Sequence, residues 1–589
     1  MAFSGFQRWQ LSFRTFIAGL GAIATVLLLV GSFALWQLLA QSPLTLLSGM
    51  NQSSPSAAIF IPPQAPLMVS LLSSPEQLLS LRRALTPPGQ RRQAQTSWQQ
   101  LKQTLQQTTG LNYDTEIRPW IGSEITFAIT DTDFDHIPEN GHQPGYLLAI
   151  ATRDSDRARE FLELFWQRQA VAGRALVFET INGSRTIYAQ PAPVPSAAEA
   201  VTDGDLTDLD TAFRLRSGSL ASAVVGQRFV LLANHPRVLQ QSIRNAQAAQ
   251  HNLTQQRSYQ QALETLTPHR IGIGYMNLPQ LLNWSGIAPP PPTPFTPAPT
   301  PYLQSLTAAL AINPQGLRLN TLLTPRPGSR FPEQSPAVSQ TIAALQYLPA
   351  DTAWAAAGKD LPQLWRQSLT ELRHYPDGPG QLRDRLLSPL GEQIFQNLQG
   401  WLTEEYALGY LPATGWILAA ERTPETDHAL RELDRLAAAQ SLTVSPLSLG
   451  PQTVTAWSRF KTRTEGRFRN RETTVETEIV GLHTQVGPYE IFTTSLPAMT
   501  AALAAPEQPL QDDPGFSRTI AALERPNDGY FYANGARLRP PLIAALPWLR
   551  LIDTPTQPLV AQLESLAVSS YGSTTTQKPA DVIIHLVDP

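Results

Sequence analysis

Three groups of residues in this sequence have types and spacings that could do chemistry. The first is Asp131-Thr132-Asp133-Phe134-Asp135, with carboxylates at alternating positions. Oxygen ligands at that spacing open a calcium-binding loop, where they converge on one hard cation. The loop pattern then requires a glycine at its sixth position and a glutamate at its twelfth. His136 and His142 stand there instead. The sharp turn and the bidentate ligand are both missing, and two histidines without a third defined ligand do not make a zinc site. The plainer reading is a polar loop between two strands. The second group is a pair, Glu124 and Glu405, which recur in matching local contexts and could serve as paired carboxylates of a hydrolase. Each stands at the start of a predicted strand, where a structural hydrogen bond accounts for it equally well. The third is a run of cations at alternating positions, Arg459, Lys461 and Arg463, then Arg467, Arg469 and Arg471, with a turn signal at Glu465-Gly466. On a hairpin, period two places all six on one face. Such a face suits anionic lipid headgroups, a polyanion or an acidic partner such as an envelope protein, and it equally suits an edge strand guarded by charge.

Other chemistry is excluded or unsupported. Cysteine is absent, so there are no disulfides, thiolate metal sites or cysteine nucleophiles. No G-x-S-x-G elbow occurs, and Gly358-Lys359 lacks the upstream glycine of a phosphate loop. The nine histidines are scattered, and none lies in H-E-x-x-H. No cofactor motif is present. The net charge of −3 gathers no nucleic acid. Five carboxylates between Glu199 and Asp210 read as a solvated loop. That stretch occupies roughly the region of the first half that corresponds to the basic run, so the two arms are candidates to meet.

The elements that position these residues begin with an anchor. Arg8 and Arg14 precede an apolar run from Thr15 to Ala40, long enough to cross a hydrocarbon core with some tilt. It exceeds the apolar core of a cleaved signal peptide. The basic residues before it and their absence for a long stretch after it direct residues 1–14 to the cytoplasm and the bulk of the chain across the membrane, into a periplasm or thylakoid lumen. Residues 15–40 thus partner the lipid bilayer, and 41–57 read as a stalk.

Internal similarity organises the remainder. Pro63-Gln64-Ala65-Pro66 matches Pro349-Ala350-Asp351-Thr352, and Trp120 with Glu124 matches Trp401 with Glu405. The strand-helix units starting at Gly145 and Gly415 match, and Gly226 to Leu239 matches Gly487 to Thr500 without a gap. Tyr259, Leu266, Gly272, Tyr275 and Asn277 match Phe516, Leu523, Gly529, Tyr532 and Asn534. The expectation is an N-terminal transmembrane helix followed by two tandem copies of an α+β module, spanning 58–324 and 341–589. Each would be a mostly antiparallel sheet covered by helices on one face. Residues 325–340 read as a linker, and the proline-rich stretch 288–301 as a loop insertion in copy one. A helix is predicted on the face of Ala158, Phe161, Leu162, Phe165 and Trp166, ended by Gly173. Another is predicted to start with Thr423 as cap and Pro424 at its first position. Hairpin turns are predicted at Asn182-Gly183 and at residues 313–316.

This order of features resembles a cyanobacterial family of membrane-anchored proteins catalogued as a domain of unknown function. The residues that carry the likeness are Ile61-Pro62-Pro63-Gln64-Ala65-Pro66, its echo Tyr347-Leu348-Pro349-Ala350-Asp351-Thr352, and the two units at Gly145 and Gly415. The resemblance spans about residues 55–589. It implies an envelope or thylakoid location and brings no activity or catalytic residue with it. The functional expectation is a membrane-tethered extracytoplasmic binding or scaffolding protein. The alternative is a membrane-anchored hydrolase built on Glu124 and Glu405.

Overall fold

The computed structural model describes residues 54–74, 102–103, 111–137, 143–190, 220–284, 303–313, 316–362, 401–465, 472–537 and 563–586. The anchor run, the acidic stretch 199–210, the proline-rich insertion and Arg467, Arg469 and Arg471 lie outside these residues. Among the described residues no helix is long and apolar enough to cross a membrane.

The chain is α+β, and the described residues form twenty strands in one sheet with every strand pair antiparallel. The first ten strands are β1 (Leu67–Leu71), β2 (Ile121–Asp131), β3 (Gly145–Thr152), β4 (Leu176–Ile181), β5 (Ser184–Ala189), β6 (Ala221–Val225), β7 (Phe229–Ala233), β8 (Gly272–Asn277), β9 (Leu303–Asn313) and β10 (Gly316–Pro325). The second ten are β11 (Trp354–Lys359), β12 (Glu405–Leu411), β13 (Gly415–Glu421), β14 (Thr443–Leu449), β15 (Gln452–Glu465), β16 (Glu472–Val486), β17 (Tyr489–Thr493), β18 (Gly529–Asn534), β19 (Leu563–Ser570) and β20 (Lys578–Leu586). In space the first block runs β4-β5-β6-β7-β3-β2-β1-β8-β9-β10. The second runs β14-β15-β16-β17-β13-β12-β11-β18-β19-β20, the same order with ten added to each number.

The blocks join where β10 pairs with β20. Tyr275, Thr307 and Leu322 stand opposite one another across β8, β9 and β10, as Tyr532, Ala567 and Ile583 do across β18, β19 and β20. On that count Asn320 occupies the place of Asp581, and in the β10–β20 ladder these two residues face each other. A pseudo-two-fold axis therefore passes between them. Asn320 Nδ2 donates to Asp581 Oδ1 at 2.6 Å, Tyr571 Oη donates to Oδ2 at 2.8 Å, and Arg318 Nε donates to Oδ2 at 2.9 Å.

Helices cover both faces of the sheet, where the sequence predicted one. In the first block α1 (Ser155–Val171) lies on one face, and α2 (Pro236–Gln247) and α3 (Arg257–Thr265) on the other, with α4 (Leu278–Trp284) following β8. Leu147, Ala149 and Leu231 point to Val238, Leu239 and Ile243 of α2. The alternate residues Ile150 and Val230 point to Ala158, Leu162 and Trp166 of α1. In the second block α5 (Thr426–Ala439) covers one face, and α6 (Leu496–Ala504) and α7 (Pro514–Ala521) the other. The physical reason is that a strand with both sides packed reads as a continuous apolar run.

Local boundaries differ from expectation in three further places. Helix α5 begins at Thr426, with Thr423 bonded to it through a backbone N–H to Thr426 Oγ1 contact of 2.8 Å rather than capping it directly. The stretch 325–340 is bound to the second block: Phe331 N donates to Thr575 O, and Val338 and Asn527 exchange both backbone bonds. Packing starts inside the expected stalk, because Ala57 and Ala58 are fully buried. The hairpin at Asn182-Gly183 forms as predicted, with both residues at positive φ (47° and 81°), as a tight two-residue turn requires.

Candidate functional site

Glu124 and Glu405 occupy equivalent positions in the two blocks and do equivalent work. The carboxylate of Glu124 is fully buried and accepts from Ser56 N at 3.0 Å, Ala57 N at 2.8 Å and Thr126 Oγ1 at 3.2 Å. It thereby closes the start of the short 3-10 turn Ser56–Phe60. Glu405 accepts from Ala343 N at 3.0 Å, at the start of the matching turn Ala343–Tyr347. First-turn N–H groups have no partner within their own turn, so a carboxylate placed there completes them. The two glutamates lie on β2 and β12, nine strand spacings apart, on the order of 40 Å along the sheet. They do not share a pocket, so the pairing that a two-carboxylate hydrolase needs is not formed.

Glu124 nevertheless lines a cavity of about 330 Å³ with Ser56, Ser123, Arg153 and Arg228 among its walls. Its shape comes from a bulge. Between Ile121 and Ile125, three residues of β2 stand opposite one residue of β3, Ala151. Such an irregularity re-aims side chains out of the regular pleat. Gly122 makes it possible, since an added Cβ would come within 2.8 Å of Ala151 O. Arg153 follows β3 and is steered by backbone carbonyls: its Nε donates to Pro119 O at 3.2 Å and its Nη2 to Arg118 O. Arg228 projects from the turn Gly226-Gln227-Arg228, and its carbonyl accepts from Thr152 N at 2.7 Å.

The second block shows what is particular about this opening. Its corresponding turn, Gly487-Pro488, is one residue shorter; Arg422 N donates to Pro488 O there, as Thr152 N does to Arg228 O. Beyond the turn the match between blocks therefore shifts by one residue from the gapless sequence alignment. Asn234 Oδ1 accepts from Tyr146 N, and its counterpart is Thr494 Oγ1 accepting from Trp416 N. Around the equivalent location stand Glu404, Glu421 and Tyr489, whose phenol is pushed up to about 12 by burial and by Glu405 and Glu421. The arginine there, Arg422, is bound to Glu490 and Asp427. Among the described residues the cationic rim belongs to the first block.

The remaining predicted residues are placed as follows. Asp131 Oδ1 accepts from Asp133 N, Asp133 Oδ1 from Gln143 N, and Asp135 Oδ1 from Ile137 N. Each carboxylate thus serves its own loop. Among the described residues no group of three or more His, Cys, Asp or Glu could hold a metal ion. His142 lies outside the described residues. In the basic ribbon, Arg459 stands opposite Glu478 and Lys461 opposite Glu476, while Arg463 stands opposite Thr474 and Glu465 opposite Glu472. In the described register, two of the three cations on β15 stand opposite glutamates. Strands β5 and β6, which flank the acidic stretch, lie at the other end of the sheet from β15 and β16. About fifteen spacings, roughly 70 Å along the sheet, separate β6 from β16; the acidic stretch itself lies outside the described residues.

A network that the sequence reading did not single out lies under α5. His483 Nδ1 is 2.9 Å from Glu490 Oε1, and its Nε2 is 3.4 Å from Asp434 Oδ1. Trp457 Nε1 donates to the same Asp434 oxygen at 2.7 Å, and Arg422 binds the other side of Glu490. The first block has Ser222 and Val230 at the places of His483 and Glu490, with Trp166 Nε1 donating to Ser222 Oγ at 2.7 Å. The legible signal was a glutamate inside an otherwise apolar strand, Tyr489-Glu490-Ile491-Phe492, all of it buried.

The family model that matches residues 20–586 covers nearly the whole chain. This chain belongs to the family described as Protein of unknown function (DUF3352). No curated protein and no solved structure matches it. What the family does must therefore be argued from geometry such as that around Arg153 and Arg228.

Proposed function

We propose that this family member is a membrane-tethered binding protein whose first block takes a small ligand bearing a carboxylate or phosphate group. The observation that carries the reading is the cavity beside Glu124, with Arg153 and Arg228 on its rim and serine hydroxyls on its walls. Guanidinium groups favour planar, multiply bonded oxyanions, and the volume suits a small molecule. Glu124 is engaged with backbone N–H groups, which supports binding over hydrolysis. In this reading the two blocks are tandem copies of one module, and the second has lost or never had the cationic rim. Residues 15–40 anchor the chain, residues 1–14 face the cytoplasm, and the sheet lies in the periplasm or thylakoid lumen of a cyanobacterial cell.

Titration calorimetry of the detergent-solubilised full chain tests the ligand class, with inorganic phosphate in one arm and short dicarboxylates in the other. Saturable heat that disappears in Arg228→Ser supports the site. No heat from either anion at millimolar concentration, or heat unchanged in Arg228→Ser, removes it. Alkaline carbonate extraction tests the tether separately: retention in the membrane fraction is expected, and release contradicts it.

A further inference from the structure

The two ends of the sheet, β4 and β14, occupy matching places but differ in one chemical respect. Strand β14 turns into β15 through Gly450-Pro451, with Leu449 opposite Gln452. Across a two-residue turn the flanking pair is hydrogen-bonded, and bonded pairs alternate from there. Leu449, Leu447 and Ser445 thus direct their N–H groups inward to β15, and Ser448, position 446 and Val444 face outward. Position 446 is Pro446, which has no N–H to offer. The same count from Ile181 opposite Ser184 directs the N–H groups of Ile181, Glu179 and Val177 inward to β5. Those of Thr180, Phe178 and Leu176 face outward. No proline interrupts β4, and among the described residues no strand pairs with its outer side.

Beside that edge lies exposed apolar surface. Phe178 stands opposite Ile187, a residue packed under α1, so Phe178 is on the α1 side of the sheet. It is 57% exposed, and Leu164 and Val171, seven residues apart on α1, are 45% and 90% exposed. Arg185 lies over the Phe178 ring at 5.5 Å and pairs with Glu163 at 3.2 Å, which fixes the ring beside the helix. An unguarded strand edge with an apolar shoulder is a template for strand addition.

We propose that the occupant is β4 of a second copy of this chain, paired antiparallel about a two-fold axis through Phe178. Self-pairing has few registers. Centring on Glu179 would oppose two like charges directly, which is unfavourable. Centring on Thr180 leaves little overlap. Centring on Phe178 sets Phe178 against its partner copy, Leu176 against Thr180 and Val177 against Glu179, using five of the six residues of the strand. A two-fold axis normal to the sheet keeps both copies of α1 on the same face, so Leu164, Val171 and Phe178 of each copy add apolar area beyond the strand pair. The sheet then continues from one molecule into the next, as it already continues from block to block through β10 and β20.

The test is the mass of the detergent-solubilised full chain by sedimentation and light scattering. The wild type is expected to be a dimer at micromolar concentration. Thr180→Pro removes an outward N–H on each side of the axis, two hydrogen bonds in all, and should weaken the dimer by about thirtyfold or more. Its circular dichroism should match the wild type, because the β4–β5 ladder is untouched. Phe178→Cys gives a direct readout, since the chain has no other cysteine. Bonded antiparallel pairs have Cα atoms about 5.5 Å apart, within reach of a disulfide, so mild oxidation should yield a covalent dimer. A monomeric wild type overturns the proposal. So does a dimer that survives Thr180→Pro and that Phe178→Cys leaves uncross-linked. Neither result involves the anion site.

Discussion

Glu124→Gln separates a structural carboxylate from a reacting one. In the wild type both oxygens accept backbone N–H groups, at 3.0 Å and 2.8 Å, in a fully buried setting. A glutamine presents one oxygen and one NH2 group, so one of the two amides meets a donor instead of an acceptor. A hydrogen bond to a charged group contributes about 1.5–3 kcal/mol, and a stranded buried donor costs about 1–3 kcal/mol. Together these put the change near 3 kcal/mol. At roughly 1.4 kcal/mol per factor of ten, amide exchange at Ser56 and Ala57 should quicken about a hundredfold, with a lower thermal midpoint. Glu405→Gln should do less, because Glu405 is only partly buried and closes its turn through Ala343 N. Hydrogen exchange followed by mass spectrometry on both variants measures this directly. Unchanged protection at residues 55–61 in Glu124→Gln would refute the capping argument and return Glu124 to the list of reactive groups.

His235 caps α2 by accepting from Arg237 N at its Nδ1, 3.1 Å away. Burial, then the Arg237 charge, holds its pKa below the ordinary imidazole value, against a weaker upward pull from Asp135. With the folded-state pKa depressed, its contribution is full above the unfolded value near 6.5 and is lost as pH falls through the folded one. The thermal midpoint should drop on acidification below about pH 6.5, and His235→Asn should flatten that part of the profile; an identical profile in the variant would contradict it. Arg270 is buried, and its Nη2 donates to Leu263 O at 3.0 Å while Nε and Nη1 have no partner among the described residues. Arg270→Met should be neutral or stabilising by about 1 kcal/mol in urea unfolding, and a loss of several kcal/mol would show that the guanidinium is paired. His483→Ala leaves buried Glu490 Oε1 without its His483 partner, with Arg422 still on the other oxygen, and loosens α5, at a cost of about 3 kcal/mol, whereas Ser222→Ala in the first block should cost about 1 kcal/mol; equal effects on thermal unfolding would count against the network.

Much of the fold was legible because strands and helices differ in period. The runs Leu147–Ala151 and Phe229–Ala233 and the stripe Ala158, Leu162, Trp166 all formed as read. The same runs also held a signal that was passed over. They lack polar alternation, which is the mark of strands buried on both sides, and helices do cover both faces. Caps were less legible. The gapless alignment around Gly226 and Gly487 hides a turn that differs by one residue, because Pro236 takes the first helical position and Pro497 the second. The site was half legible. Glu124 stood out by its recurrence, but Arg153 follows β3 and Arg228 precedes β7, and the β3–β7 ladder brings them to one cavity. Nothing in their spacing along the chain brings them together. The alternating cations of β15 were visible, and the glutamates that stand opposite two of them across the hairpin were equally present at 476 and 478.

The facing pair Asn320 and Asp581 bears on how the chain could be divided and reassembled. Cut between 325 and 340, the two pieces expose β10 and β20 as bare edges. Two C-terminal pieces meeting through β20 would set one Asp581 against another, without Arg318 or Asn320 to neutralise them. Two N-terminal pieces would set Asn320 beside Asn320, with Arg318 left unanswered. The mixed pair alone satisfies both, so co-expressed halves should sort into heterodimers, and native mass spectrometry showing a statistical mixture would mean the axial residues do not choose. The seam that holds one molecule together is also an instruction about which halves belong to each other.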